Sequence, residues 1–283
     1  MRSKPFLLPF LILMLVAYGC TNAVNNTDKH EVSTGKVSTE KQQAEKQSDI
    51  KQTPNTTVEI LPKTEIPVLC YHRISESVKG DYSVSPATFE AHMKVLADSG
   101  FRSVLPDQLY DYLVFNKVLP EKPVMISFDD SRAEHFAVAA PIMEKYGFRG
   151  AFFIMTITYN KKNYMSTEQI KELAEKGHTI GLHSWDHTMA TKYKEETDWQ
   201  QQVVNPKSKL EGIMGKPVDY WAYPNGVYDH QAAMELSRYF KLSFILSDKR
   251  DSIQPLQTVR RMIVPELSPQ GLLKSMKRTF FSE

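Results

Sequence analysis

From about residue 61 onward, short apolar runs alternate with amphipathic stretches, and this alternation constrains the fold more than any other feature. The runs at 66–71, 102–105, 124–128, 151–155, 178–182, 220–223, 242–246 and 259–264 read as strands: apolar, rich in β-branched and aromatic residues, and too short for helices. Between them, 86–99, 106–115, 133–146, 166–176, 198–214, 229–239 and 269–279 read as helices. Phe89, Met93 and Leu96 mark a buried helix face, Ser166 is suited to an N-cap, and Gly100, Gly147, Gly177 and Gly215 stand where helices stop. Pro206 predicts an interruption. Strands alternating with helices imply an α/β fold with parallel strands inside and helices outside, and about seven such units can close into a barrel.

The N-terminal part is different material. Arg2 and Lys4 precede a largely apolar run at 5–18, and Gly19-Cys20 closes it. The run is short for a spanning helix, so 1–20 reads as an export signal. A cysteine at this place resembles the cleavage and lipidation site of a bacterial lipoprotein, although Ala17 and Tyr18 depart from the usual residues. Cys20 is therefore the expected lipid attachment, and the expected location is extracytoplasmic, on the cell membrane through that anchor or secreted. Residues 21–60 are rich in Lys, Glu, Gln, Ser, Thr and Asn and cannot bury enough apolar surface to offset their ordering entropy. They predict a disordered tether with an r.m.s. span of roughly 35 Å. Residues 61–283 then form one domain, expected to be monomeric. A net charge of +2 gives no reason to expect a nucleic-acid partner. If Cys20 carries lipid, Cys70 stands alone as a buried, inert thiol.

Polar residues interrupt the pattern where two of the strands end. One is Phe128-Asp129-Asp130-Ser131, the other Leu182-His183-Ser184-Trp185-Asp186-His187. The C-terminal edge of a parallel sheet is where sites are built. One carboxylate and two imidazoles suit a divalent ion that keeps positions open for water and substrate. The adjacent carboxylate is then free to act as a general base. Taken alone, Asp-Asp could simply cap a helix, and a lone H-x-x-x-H is a weak signal; their combination is stronger. Trp221-Ala222-Tyr223-Pro224-Asn225-Gly226 ends a further strand in a sharp turn that can present a backbone N–H.

The order Phe128-Asp129-Asp130, His183-Ser184-x-x-His187 and Tyr223-Pro224-x-Gly226 resembles the polysaccharide deacetylases, carbohydrate esterase family 4 with the NodB homology domain. The opening Val68-Leu69-Cys70-Tyr71-His72-Arg73-Ile74 resembles the exported branch that acts on poly-β-1,6-N-acetylglucosamine. The resemblance implies a distorted (β/α) barrel and a metal-dependent N-deacetylase of acetylated glycan polymers. It assigns Asp129 as general base and Asp130, His183 and His187 as ligands of a divalent metal, zinc first, with cobalt, nickel or ferrous iron as alternatives. Ser184 supports the histidine loop, and Asn225 offers its backbone N–H to the oxyanion, with Tyr223 beside it.

Two departures from the family pattern leave places to fill. Ala222 stands where an arginine is common, and Arg261 on the last strand is the replacement considered for tuning Asp129; a surface arginine is the alternative. No histidine follows His230, so the general acid is unassigned, and His72 is the substitute considered for an acid or substrate role. Competing functions on the same scaffold are an O-acetyl esterase of xylan or another glycan, and an inactive glycan-binding lipoprotein.

Overall fold

The structure, a computed structural model, describes residues 53–246 and 249–281. The expected export signal, Cys20 and most of the expected tether lie outside the described residues. Among the described residues, no helix is long and apolar enough to cross a membrane.

Among the described residues there are eleven strands: β1 (Val68–Tyr71), β2 (Arg73–Ile74), β3 (Ser83–Val84), β4 (Arg102–Ser103), β5 (Pro123–Phe128), β6 (Ala151–Ile154), β7 (Thr179–Leu182), β8 (Tyr220–Ala222), β9 (Leu242–Ile245), β10 (Val259–Arg260) and β11 (Met262–Ile263). The main sheet runs β10-β9-β8-β7-β6-β5-β1-β11, with β4 also on β5, and every pairing is parallel. Its two outer strands are consecutive in the chain. β10 pairs with β9 and β11 with β1, so the segment 259–263 bridges the two edges and nearly closes the sheet into the expected distorted barrel. Arg261 is the residue between them, its N–H donating to the Ile245 carbonyl at 3.0 Å.

Side chains alternate across the wall with the strand period of two. Val68, Met125, Ala151, Phe153, Tyr220, Ala222, Leu242, Phe244 and Val259 form one apolar cluster, and Leu109 and Leu113 of helix Pro106–Phe115 join it. Their neighbours Leu69, Ile126, Phe152, Ile154, Trp221, Tyr223 and Ile245 belong to a larger cluster together with the surrounding helices. The first set fills the barrel and the second lies between wall and helices. Continuing the inward parity upward, Cys70 and His72 follow Val68, Ser127 and Asp129 follow Met125, and Arg261 follows Val259.

Most predicted helices stand, including Pro86–Asp98, Pro106–Phe115 and Thr167–Glu175, the last capped by Ser166 Oγ accepting from Gln169 N. Three expectations need correction. The helix expected over 133–146 is a widened turn at His135–Ala139 leading into Ala140–Lys145. The one over 198–214 is Glu196–Trp199, a widened turn Gln200–Val204, then Asn205–Met214. Pro141 and Pro206 sit in the first turn after each widened segment; a proline lacks the N–H that a regular ladder requires, and the wider turn absorbs the gap. Finally, the expected boundary at residue 61 falls too late. Helix Thr57–Ile60 packs on the domain, Ile60 is buried, and Asn55 N–H donates to the Val114 carbonyl at 2.7 Å. Burying an isoleucine contributes about 1.5–3 kcal/mol, which fixes this otherwise polar stretch.

Candidate functional site

The site is built at the C-terminal ends of β1, β5, β7 and β8 and on the segment between β10 and β11. Leaving β5, Asp129 keeps the inward parity and is buried, while Asp130 turns out of the strand with φ 76 and Ser131 follows with φ 59. The Ser131 hydroxyl accepts from Met155 N at 2.7 Å, tying this turn to the end of β6. Leaving β7, His183 points inward and is buried, Ser184 takes φ 65 and His187 φ 73. The Ser184 hydroxyl accepts from His187 N at 2.8 Å, which is the support for the histidine loop that the resemblance implies.

These turns bring the three expected ligands together. Asp130 Oδ1 lies 3.7 Å from His183 Nε2 and 3.6 Å from His187 Nε2, and the three ligand atoms all fall within 4.8 Å of one another. Two ligands of one tetrahedral ion with bonds near 2.1 Å stand about 3.4 Å apart, so the spacing fits a single cation. The tautomer fits too. His183 Nδ1 bonds the Ala222 carbonyl at 2.8 Å, which makes Nδ1 the N–H and leaves the Nε2 lone pair facing Asp130. A lone pair and a carboxylate oxygen facing each other repel unless a cation or proton lies between them. Burial, partly offset by Asp129 and Asp130, lowers the His183 pKa and keeps the imidazole neutral.

Asp129 occupies a different environment. Arg261 grips it with two parallel bonds, NH1 to Oδ1 at 2.7 Å and NH2 to Oδ2 at 2.8 Å. Both residues are buried. Burial alone would push the carboxyl up, but the Arg261 guanidinium, His183 and His72 outweigh it, and its pKa falls well below the usual carboxylate range. Arg261 is thus a buried arginine and not a surface one. It supplies the charge that keeps Asp129 ionised, from the segment that joins the two sheet edges rather than from β8, where Ala222 stands. The Cys70 thiol, 3.6 Å from Asp129 Oδ2, completes the inward cluster; burial raises its pKa and keeps it protonated.

His72 Nε2 lies 3.9 Å from Asp129 Oδ2, and its ring meets Tyr82 edge-on at 5.1 Å. Burial lowers its pKa despite the neighbouring aspartates. A cleft of about 530 Å³ opens over these groups, lined among others by His72, Asp130, His187 and Asn225. Asn225 has φ 58 there. Gly226 follows with φ +67, and a Cβ on it would stand 2.2 Å from Leu246 Cβ, so only glycine fits the turn.

Tyr223, beside Asn225 in sequence, turns its side chain into the core. It follows Trp221 on the outward parity of β8, is fully buried, and packs against Trp221 and Tyr228. Sequence reasoning missed Tyr82, Arg73 and Arg132, which line the cleft. Arg73 follows His72 at the end of β1 and Arg132 follows the Asp-Asp turn, so both positions signalled a strand-end location.

A nearly closed parallel barrel with an Asp-His-His cluster and a clamped carboxylate at its C-terminal rim defines a barrel protein with a candidate site for one cation. Residues 116–240 match the polysaccharide deacetylase family. That segment holds Asp129, Asp130, His183, His187 and Asn225 but excludes His72 and Arg261. The chain is 29% identical over 167 residues to YxkH of Bacillus subtilis (strain 168), which bears the polysaccharide deacetylase name provisionally, covering 59% of each chain. It is 27% identical over 193 residues to the poly-beta-1,6-N-acetyl-D-glucosamine N-deacetylase of Staphylococcus aureus, covering 62% of this chain and 64% of that one. The chain therefore spans less than two thirds of these curated relatives. Among solved structures, IcaB from Ammonifex degensii superposes with TM-score 0.65 at 26% identity, covering 76% of this chain and 98% of that one. The Streptococcus pyogenes deacetylase PplD superposes with TM-score 0.69 at 23% identity, covering 75% and 98%, a likeness of fold.

Proposed function

We propose that this chain is a metal-dependent hydrolase that removes N-acetyl groups from N-acetylglucosamine-containing polysaccharide, an exopolysaccharide or peptidoglycan, and releases acetate. The observation that carries the reading is the pairing of an Asp130-His183-His187 cluster with a separately held, ionised Asp129, whose Oδ2 lies 3.9 Å from His183 Nε2. The named activity of the Staphylococcus aureus relative supports the choice of an N-acetylglucosamine polymer.

Asp130, His183 and His187 would hold the divalent ion, with zinc first because two imidazoles and one carboxylate suit it. Such an ion, when bound, supplies Lewis acidity toward an acetamide carbonyl and a water. Asp129 takes a proton from the attacking water, and the Arg261 fork keeps it a carboxylate aimed at one place. Asn225, lining the cleft, offers its backbone N–H to the oxyanion. His72, 3.9 Å from Asp129, would receive that proton and hand it to the departing nitrogen; burial lowers its pKa, so it relays the proton rather than storing one. A C–O bond forms, the C–N bond breaks, and the water's protons end on the amine and in solvent.

The test is acetate release from N-acetylglucosamine oligomers, peptidoglycan and acetylated xylan, with and without chelator. The account expects chelator-sensitive release from the first two. Release from xylan alone would mark an O-acetyl esterase, and glycan binding with no release under any divalent ion would mark an inactive binding protein. We also propose that Cys20 anchors the mature chain to the outer face of the cell membrane. Cys20→Ala should then shift the protein from the membrane to the soluble fraction; unchanged partition would contradict lipidation there.

A further inference from the structure

The cleft over the metal cluster carries a cationic group that the deacetylation chemistry leaves unused. Arg132 follows the Asp129-Asp130-Ser131 turn and lines the same cleft as Asp130 and His187. Its guanidinium lies over the Tyr164 ring at 4.7 Å, and the backbones of the two residues form an isolated antiparallel bridge. That stacking holds the guanidinium plane in one orientation while leaving its edge free to bond. Arg132 has no ion-pair partner among the described residues, and its Nε is buried without a hydrogen-bond partner. Neither terminal nitrogen of Arg132 has a protein acceptor among the described residues, and it is these, not the buried Nε, that a ligand in the cleft would meet.

Arg73, the other guanidinium of the cleft, shows what a satisfied one looks like. Its Nε donates to Glu134 Oε1 at 2.7 Å. No carboxylate plays that part for Arg132. Asp130, which lines the same cleft, faces the two imidazoles. A neutral sugar needs only hydroxyl and amide partners, whereas a planar, preoriented guanidinium matches the two oxygens of a carboxylate or phosphate.

We propose that Arg132 is a specificity residue that reads an anionic substituent, a carboxylate or a phosphate ester, on the glycan beside the acetylated sugar. The inference rests on the glycan reading of the cleft and narrows it: the preferred polymer is acidic rather than a neutral homopolymer of N-acetylglucosamine.

Binding tests it without using turnover. Calorimetry on the full mature chain would compare three oligosaccharides of equal length: a neutral N-acetylglucosamine oligomer, one alternating with N-acetylmuramic acid, whose lactyl group bears a carboxylate, and one bearing 6-phosphates. The wild type should bind one acidic probe at least about tenfold more tightly than the neutral one, and which probe it is identifies the anion. Arg132→Gln should abolish that preference and leave neutral binding within about twofold. Arg132→Lys should recover only part of it, because a point charge lacks the fork. Equal wild-type affinity for all three probes, or equal loss of neutral and acidic binding in Arg132→Gln, would overturn the proposal. The wild-type comparison alone decides should the variant fold poorly. Anion-selective binding without acetate release would overturn the deacetylase reading and leave this one standing; acetate release without anion selectivity would do the reverse.

Discussion

The barrel wall and its C-terminal rim follow opposite rules. In the wall, strands are buried on both faces, and apolar side chains alternate between the barrel interior and the helix layer. At the rim, Asp130, Ser131, Ser184, His187 and Asn225 all adopt left-handed backbone without being glycine. Such conformations cost on the order of 1–2 kcal/mol each and persist only where the surroundings hold them. The wall contributes the stability, and the rim spends part of it to turn side chains off the strand direction. Asp129 and Asp130 show the difference within two residues. Asp129 continues the wall's inward parity into an arginine clamp, while Asp130 breaks parity to face two imidazoles.

The largest effect that would sharpen this contrast is on turnover. Asp129→Asn should lower kcat by about a thousandfold, the scale of a lost general base, with KM little changed. Acetate release under saturating oligomer checks it; a loss below tenfold would remove Asp129 from the chemistry.

Next is the clamp. Arg261→Met leaves a buried carboxylate unpaired and should destabilise the fold by about 3–5 kcal/mol, read by chemical denaturation. Adding Asp129→Asn should recover much of that loss. No recovery would mean that the arginine acts by packing alone.

A smaller effect separates the buried histidines from the buried aspartate by pH. Burial lowers the pKa of His92, His135, His178 and His183 from the ordinary 6.5, that of His135 to about 4. As pH drops through 6.5, the unfolded chain takes protons that the folded one refuses, so the metal-free protein should lose stability below that value. Asp129, whose folded pKa is depressed, stabilises the fold above its ordinary 3.8, and that contribution disappears only as pH falls below it. A metal-free stability curve flat from pH 7 to pH 4 would contradict the burial of the imidazoles.

Least of all, Asn225→Gly should relieve the left-handed strain at φ 58 and raise stability by at most about 1 kcal/mol. A clear destabilisation would show that the Asn225 side chain holds the turn.

Much of the wall was legible in the sequence because period and length identify strands and helices directly. The metal cluster was legible because its residue types are rare together at strand ends. The side-chain direction of Tyr223 was also legible: counting by twos from Trp221 puts it with the helix-facing set. The same count from Val259 places Arg261 inside, but its grip on Asp129 depends on the chain bridging the two sheet edges, a closure no local pattern encodes. The widened turn before Pro141 was hidden because apolar spacing continues through it, whereas Pro206 itself signalled the interruption near it. Arg132 was hidden because a single arginine after a turn looks like any solvated charge until Tyr164 is seen beneath it.

Metal content per chain tests the central claim most directly. Elemental analysis of the purified protein, equilibrated with zinc and then desalted, should find one ion per chain in the wild type and in Asp129→Asn, and almost none in His183→Ala. Equal loss in Asp129→Asn and His183→Ala, or retention of the ion in His183→Ala, would contradict the division of labour between the two carboxylates.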